Sequence, residues 1–203
     1  GADVNARSEY GRSALMYVVE NEDIEPVQAL LDRGADIDAQ DNDGWTAILF
    51  AAGSGYVDVV KLLLERGADI DIRAHDGMTA LMRAAECGST EIVQLLLDRG
   101  ADMWARNDDG RTAMGFASSM ECEEVVQLLL AQGATPDDDD SDSEDDEYDE
   151  DVDDDDEYDS DDDDESSLIQ AAENGHTEVV QLLLDRGADI ETQNEEGWTA
   201  LIY

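Results

Sequence analysis

The chain is poor in positive charge: its 203 residues hold 11 Lys and Arg against 55 Asp and Glu, for a formal charge of -44. Duplex binding draws most of its affinity from Lys and Arg that neutralise phosphates, so this balance excludes direct nucleic-acid binding, and an anionic membrane surface repels the chain for the same reason. Aromatic residues are scarce at 5%, so a core has to be built from Leu, Val, Ile and Ala. The two cysteines, Cys87 and Cys122, form neither a Cys-x-x-Cys pair nor a Cys/His cluster. That excludes a disulfide framework and a zinc site and points to a reducing, intracellular setting, cytoplasmic or nuclear. No apolar stretch approaches the roughly 18 residues of a membrane helix, and no basic-then-apolar leader opens the chain.

Chemistry is equally thin. Lys61 is the single lysine, and the two histidines, His75 and His176, fall in no His-Glu-x-x-His pattern. Neither a phosphate-binding Gly-rich loop nor a Gly-x-Ser-x-Gly elbow occurs. The expectation is a protein that is not an enzyme and needs no cofactor or metal.

What the chain does have is a repeat. Gly-Ala stands at positions 1, 34, 67, 100 and 133, in steps of 33, and again at 187. A second marker keeps time with it: Gly11-Arg12-Ser13-Ala14, Gly44-Trp45-Thr46-Ala47, Gly77-Met78-Thr79-Ala80, Gly110-Arg111-Thr112-Ala113 and Gly197-Trp198-Thr199-Ala200. Both late gaps exceed a multiple of 33 by 21 residues, so one repeat is expanded.

Within a unit, Thr79 is placed to cap a short helix whose inner side carries Ala80, Leu81, Ala84 and Ala85, and Gly88 permits the left-handed turn that ends it. The second helix carries Ile92, Val93, Leu95, Leu96 and Leu97, with Glu91 and Arg99 at the ends the helix dipole favours. An extended stretch then leads to a tight turn in which Asn107 suits the first position and Gly110 the last. One such unit cannot bury its apolar face alone, and stacked units can.

These units resemble ankyrin repeats. The unit at 41–74 shows the pattern in Thr46-Ala47, Ala51-Ala52, the turn residue Gly55, Val59-Val60, Leu62-Leu63-Leu64 and Gly67-Ala68-Asp69, and the resemblance extends over helix pairs at 13–33, 46–66, 79–99, 112–132 and 166–186. It implies an all-α ankyrin-repeat α-solenoid of helix–turn–helix plus β-finger units. The domain plan is then four helix pairs in 1–136, an insertion in a finger at 137–165, and a repeat at 166–203 that continues into a truncated one. Some positions depart from the family. The Pro and His of its Thr-Pro-Leu-His stretch are absent from Thr46-Ala47-Ile48-Leu49 and its equivalents, and Glu22 and Glu121 replace the inter-helix Gly, which predicts strained turns there. Pro26 falls in the first turn of a second helix, where its missing N–H costs nothing. The chain opens inside a finger and stops within a first helix without polar caps, as a segment of a longer array would.

From Asp137 to Glu165, 23 of 29 residues are acidic and none is basic, so about half of the excess charge sits in one run. Carboxylates ~7 Å apart lie within the Debye length and repel, which predicts an open, disordered loop. Three readings stay open: a solvating spacer; a binder or chaperone of basic proteins such as histones, helped by Tyr148 and Tyr158; and an internal competitor for an acidic partner. Ser141, Ser143 and Ser160 each have an acidic residue three positions on, similar to sites favoured by acidophilic kinases. The run lacks the Gly-containing loop of an EF-hand, so it implies only loose calcium binding.

The resemblance implies that a protein partner is held by finger tips and by the exposed side of the first helices, on the concave face. Tyr10, Arg12, Trp45, Arg73, His75, Met78, Arg106, Arg111 and Trp198 fall there, with Arg83, Gly53 and Ser54 beside them and Trp45 the leading candidate. Trp104 reads as structural. The expected function is a monomeric, non-catalytic protein–protein interaction scaffold. One alternative is a chaperone acting through the acidic run, and another is a substrate-targeting segment of a larger enzyme.

Overall fold

A computed structural model of the chain describes residues 3–135, 166–194 and 197–203. Its helices come in pairs: α1 (Ala14–Val19) with α2 (Ile24–Leu31), α3 (Ala47–Gly53) with α4 (Val57–Glu65), α5 (Ala80–Glu86) with α6 (Thr90–Asp98), α7 (Ala113–Ser119) with α8 (Glu123–Ala131), and α9 (Ser167–Glu173) with α10 (Thr177–Asp185). Each first helix packs on the next first helix and each second helix on the next second helix, so the pairs stack into a two-layered solenoid. The stack runs on from α7 and α8 to α9 and α10 across the expanded repeat.

The local reasons lie in the sequence. Backbone N–H groups orphaned at a helix start need an acceptor. The hydroxyls of Ser13, Thr79 and Thr112 accept from Met16, Met82 and Gly115 at 3.3, 3.3 and 3.2 Å. Paired alanines (Ala51, Ala52, Ala84, Ala85) are wholly buried and let the first helices approach closely, while Leu63, Ile92, Leu96 and Leu129 fill the space between the layers. A buried leucine of this kind contributes on the order of 1.5–3 kcal/mol. In α2 Pro26 stands in the first turn, as its missing donor requires.

Glu22 and Glu121 adopt positive φ values of 59° and 57°, taking the left-handed conformation that Gly55, Gly88 and Gly175 supply in the other pairs. A side chain there costs about 1–2 kcal/mol.

The β-finger part of the expected fold is not present. No β-strand occurs among the described residues, which show only isolated bridges, Arg7 with Ser13 and Gln193 with Thr199. The segments between helix pairs are turns tied by side chains. Asp3, Asp36, Asp69, Asp102 and Asp189 each accept the N–H of the residue two positions on, at 3.0–3.3 Å. Neighbouring turns are then linked residue to residue: Asn5, Asp38 and Asp71 accept from the N–H of Asp36, Asp69 and Asp102 at 2.8, 3.0 and 3.0 Å. Side-chain acceptors so placed compete with a strand ladder for the same N–H groups. The fold is therefore an all-α solenoid of stacked helix pairs joined by turns. The acidic run, the expected disordered loop and the phosphorylation candidates Ser141, Ser143 and Ser160 lie outside the described residues.

Candidate protein-binding groove

The 33-residue register places side chains in columns along the first-helix layer. One column holds Arg12, Trp45, Met78 and Arg111, just before each first helix; a second holds Tyr17, Phe50, Arg83 and Phe116, within it. In the first three repeats the two columns interleave. The Arg12 guanidinium lies 5.2 Å from the Tyr17 ring centre and 4.4 Å from that of Phe50. Phe50 meets Trp45 at 5.2 Å, and Arg83 covers Trp45 at 4.8 Å. The result is a continuous stack of rings and guanidiniums in the order Tyr17, Arg12, Phe50, Trp45, Arg83. Cation–π contacts of this kind are favourable by roughly 0.5–1 kcal/mol when exposed and more when desolvated.

An open cavity of about 580 Å³ lies over this stack, lined also by Tyr10, Asp41 and Asp43. Gly53 forms part of the wall for a steric reason. A Cβ at that position would stand 2.8 Å from Nη2 and 2.9 Å from Nε of Arg83, so only glycine lets the guanidinium lie against α3. Asp41 organises the turn below, accepting from Asp43 and Trp45 N–H at 3.0 and 2.9 Å.

Charges in the groove are mostly matched. Arg12 pairs with Glu20 and lies 3.9 Å from Asp41, and Arg83 pairs with Glu86. Tyr10 and Tyr17 keep 64% and 41% of their surface exposed, which leaves ring faces available to a partner.

Of the residues singled out in the sequence, Tyr10, Arg12 and Trp45 come together here, with Gly53, Ser54 and Arg83. The others do not join them. Met78 is only 5% exposed; it belongs to the core, against which Trp45 packs only in part, and presents almost no surface to a partner. Arg73 and Arg106 donate to the carbonyls of Gly77 and Gly110 at 3.2 and 3.0 Å, bracing their own turns. His75 is exposed on a turn and its N–H bonds to the Asp43 carbonyl at 3.0 Å. Trp198 stacks near Tyr203 with ring centres 5.8 Å apart, in the last described turn. Trp104, expected to be structural, is 49% exposed at the position where Asn5, Asp38 and Asp71 link successive turns. Tyr17 and Phe50 were missed by sequence reasoning, although they share the register of Arg83.

Arg111 shows the opposite outcome in the same register. It lies 4.4 Å over Phe116 and donates to the Ser119 hydroxyl at 2.6 Å and to Gln170 at 3.3 Å. Phe116 is buried, and Gly115 lets Gln170 approach to where a Cβ would be 2.9 Å from its Oε1. His176 donates from Nε2 to the Ser119 carbonyl at 2.9 Å, joining α10 to the end of α7.

Among the described residues, two groups have clearly shifted acidities. Burial pushes the Asp38 carboxyl up, an effect reduced by the Asp69 N–H it accepts and added to by the carboxylates of Asp69 and Asp36. Burial also raises the Cys122 thiol, with Cys87 and Glu124 adding to it, which disfavours the thiolate form. No group of three or more His, Cys, Asp or Glu able to hold a metal ion occurs among the described residues, and no helix among them is long and apolar enough to cross a membrane.

Comparison with known proteins agrees with the stacked helix pairs. A family model described as ankyrin repeats (3 copies) matches residues 1–74 and 70–140, and one described as ankyrin repeats (many copies) matches residues 155–203. None of the curated proteins matches the chain. With most of its length matched and its helix pairs stacked at the repeat period, the chain belongs to the ankyrin repeat family.

Proposed function

We propose that the chain is a non-catalytic interaction scaffold that holds a protein partner in the groove of its first three repeats. Ankyrin repeat proteins are typically non-catalytic scaffolds, and the reading rests on one observation, the open aromatic groove over Trp45 and Phe50. Aromatic and Arg side chains that are rigid and pre-stacked make good interface anchors, because little conformational freedom is lost on binding. Tyr10, Arg12, Tyr17 and Trp45 are the contact residues of this proposal, and the protein acts as an intracellular monomer.

A photo-crosslinking amino acid placed at Tyr10, and separately at Gln127 on the exposed side of α8, tests the reading in cell extract. Crosslinks to a discrete partner should form from position 10 and not from 127. Labelling from 127 alone would place the interface on the second-helix layer and defeat the proposal.

A second reading is favoured by the 23 acidic residues of the run at 137–165, which suit capture of basic proteins by charge alone. Binding of that kind is lost at moderate salt, whereas a groove with stacked rings retains its partner.

A further inference from the structure

We infer that the groove's occupant is a basic, extended segment of a protein partner, which lays a Lys or Arg side chain on the open faces of Tyr10 and Tyr17 beside Asp43. This rests on the groove being the docking site and adds the chemistry of what enters it.

Charge decides the matter. The groove contains Arg12 and Arg83, which at first sight select an anionic partner. Both are already neutralised within the fold, Arg12 by Glu20 and Asp41 and Arg83 by Glu86, and each stacks on at least one ring. Asp43 is different. It lines the cavity, is exposed, and its carboxylate makes none of the described ion pairs or hydrogen bonds. The groups facing the cavity therefore leave one carboxylate open and no guanidinium without a counter-ion. Around them stands a chain of charge -44, whose field draws cations in and keeps anions out.

The rings supply the second half of the match. Tyr17 is capped on one face by Arg12 and is 41% exposed, and Tyr10 is 64% exposed. A π-face that lines the same cavity as a carboxylate adds its quadrupole to the attraction of that charge for a cation. The apolar rims of Phe50 and Trp45 accept the aliphatic stem of a long basic side chain, which suits Lys and Arg better than a compact cation.

The test uses the full chain with Trp104 and Trp198 replaced by Phe, which leaves Trp45 as the single indole reporter. It is titrated with an octapeptide of alternating Lys and Leu, with its Glu/Leu counterpart, and with a Ser/Leu control. Saturable change in Trp45 emission is expected with the basic peptide and not with the acidic one. Tyr17→Ser and Asp43→Asn should each weaken that response about fivefold. Both are exposed replacements that leave the core intact, and circular dichroism checks this.

Tighter binding of the acidic peptide would overturn the inference while leaving the groove as the docking site. Equal response to the Ser/Leu control would do the same. Binding of the basic peptide without a Trp45 response would assign it to the acidic run and overturn the inference. No Trp45 response to any peptide, together with crosslinks that avoid position 10, would remove the docking site itself.

Discussion

The first three repeats and the last two use the same register to opposite ends. In both regions an Arg precedes or occupies a first helix and lies on a ring: Arg12 on Phe50, Arg83 on Trp45, Arg111 on Phe116. In both a glycine lets a long polar side chain come close, Gly53 for Arg83 and Gly115 for Gln170. Yet the first region is open, whereas among the described residues the second is filled around Arg111 and Phe116. Arg111 is tied to Ser119 and Gln170, and Phe116 is buried beneath it, whereas Trp45 spreads over its neighbours and leaves a cavity between Tyr10 and Ser54. A repeat scaffold thus fixes where side chains stand, and the identity of a few of them decides whether the surface stays open.

The shared part of the comparison is the core. Leu49→Ala and Leu129→Ala, one in each region and both buried, should each cost about 2–5 kcal/mol in urea denaturation followed by circular dichroism. Similar losses from both would mean that the regions unfold as one stack; a loss that melts only its own half would break that view.

Gly53→Val should have the next largest effect. The new side chain meets the Arg83 guanidinium and the helix wall, for a cost of about 1–3 kcal/mol and a shifted Trp45 emission. Gly115→Ala meets only the end of Gln170, which can turn aside, so a smaller loss and an unchanged Trp45 spectrum are expected.

The two strained turns sharpen the contrast further. Glu22→Gly should raise stability by about 1 kcal/mol, since glycine adopts φ near 59° without the side-chain penalty. Glu121→Gly should gain less, because it also removes a carboxylate that lies 3.6 Å from His176 Nδ1. Equal gains from the two replacements would show that the His176 contact contributes nothing.

The smallest effect concerns the links between turns. With its carboxyl pushed up by burial, Asp38 binds its proton more tightly in the folded chain than in the unfolded one. Its contribution therefore improves as pH falls through the raised value and is unfavourable at neutral pH. Asp38→Asn keeps the acceptor for the Asp69 N–H, as Asn5 does naturally for Asp36, and removes the charge. The urea midpoint should rise slightly at pH 7, and the advantage should vanish in acid. A lower midpoint at pH 7 would contradict this.

Much of the fold was legible because the period of 33 repeats its own punctuation. The cap Thr79, whose role Ser13 and Thr112 repeat in the structure, and the turn residues Gly55 and Gly88 marked the helix pairs, and Asn107 and Gly110 marked a tight turn closed by the Gly110 N–H on the Asn107 carbonyl at 3.0 Å. The β-fingers were misread for a physical reason. The resemblance implied them, but Asp36 and Asp69 accept from the backbone two residues on and fold it into a turn, while Asp38 and Asp71 accept from the N–H of the next turn. Met78 shares its column with the half-buried Trp45 and Arg111, and only packing against its neighbours places it in the core. Tyr17 and Phe50 were within reach, since they stand 66 and 33 positions before Arg83. Their importance comes from the cation between them, which no single repeat reveals.

The most direct test is hydroxyl-radical footprinting of the full chain, free and bound to the partner captured through position 10. Tyr10 and Tyr17 should lose reactivity on binding while the exposed Met120 and Trp198 of the later repeats keep theirs. Protection of Met120 and Trp198 with Tyr10 and Tyr17 unchanged would contradict the account and move the interface to the other end of the stack.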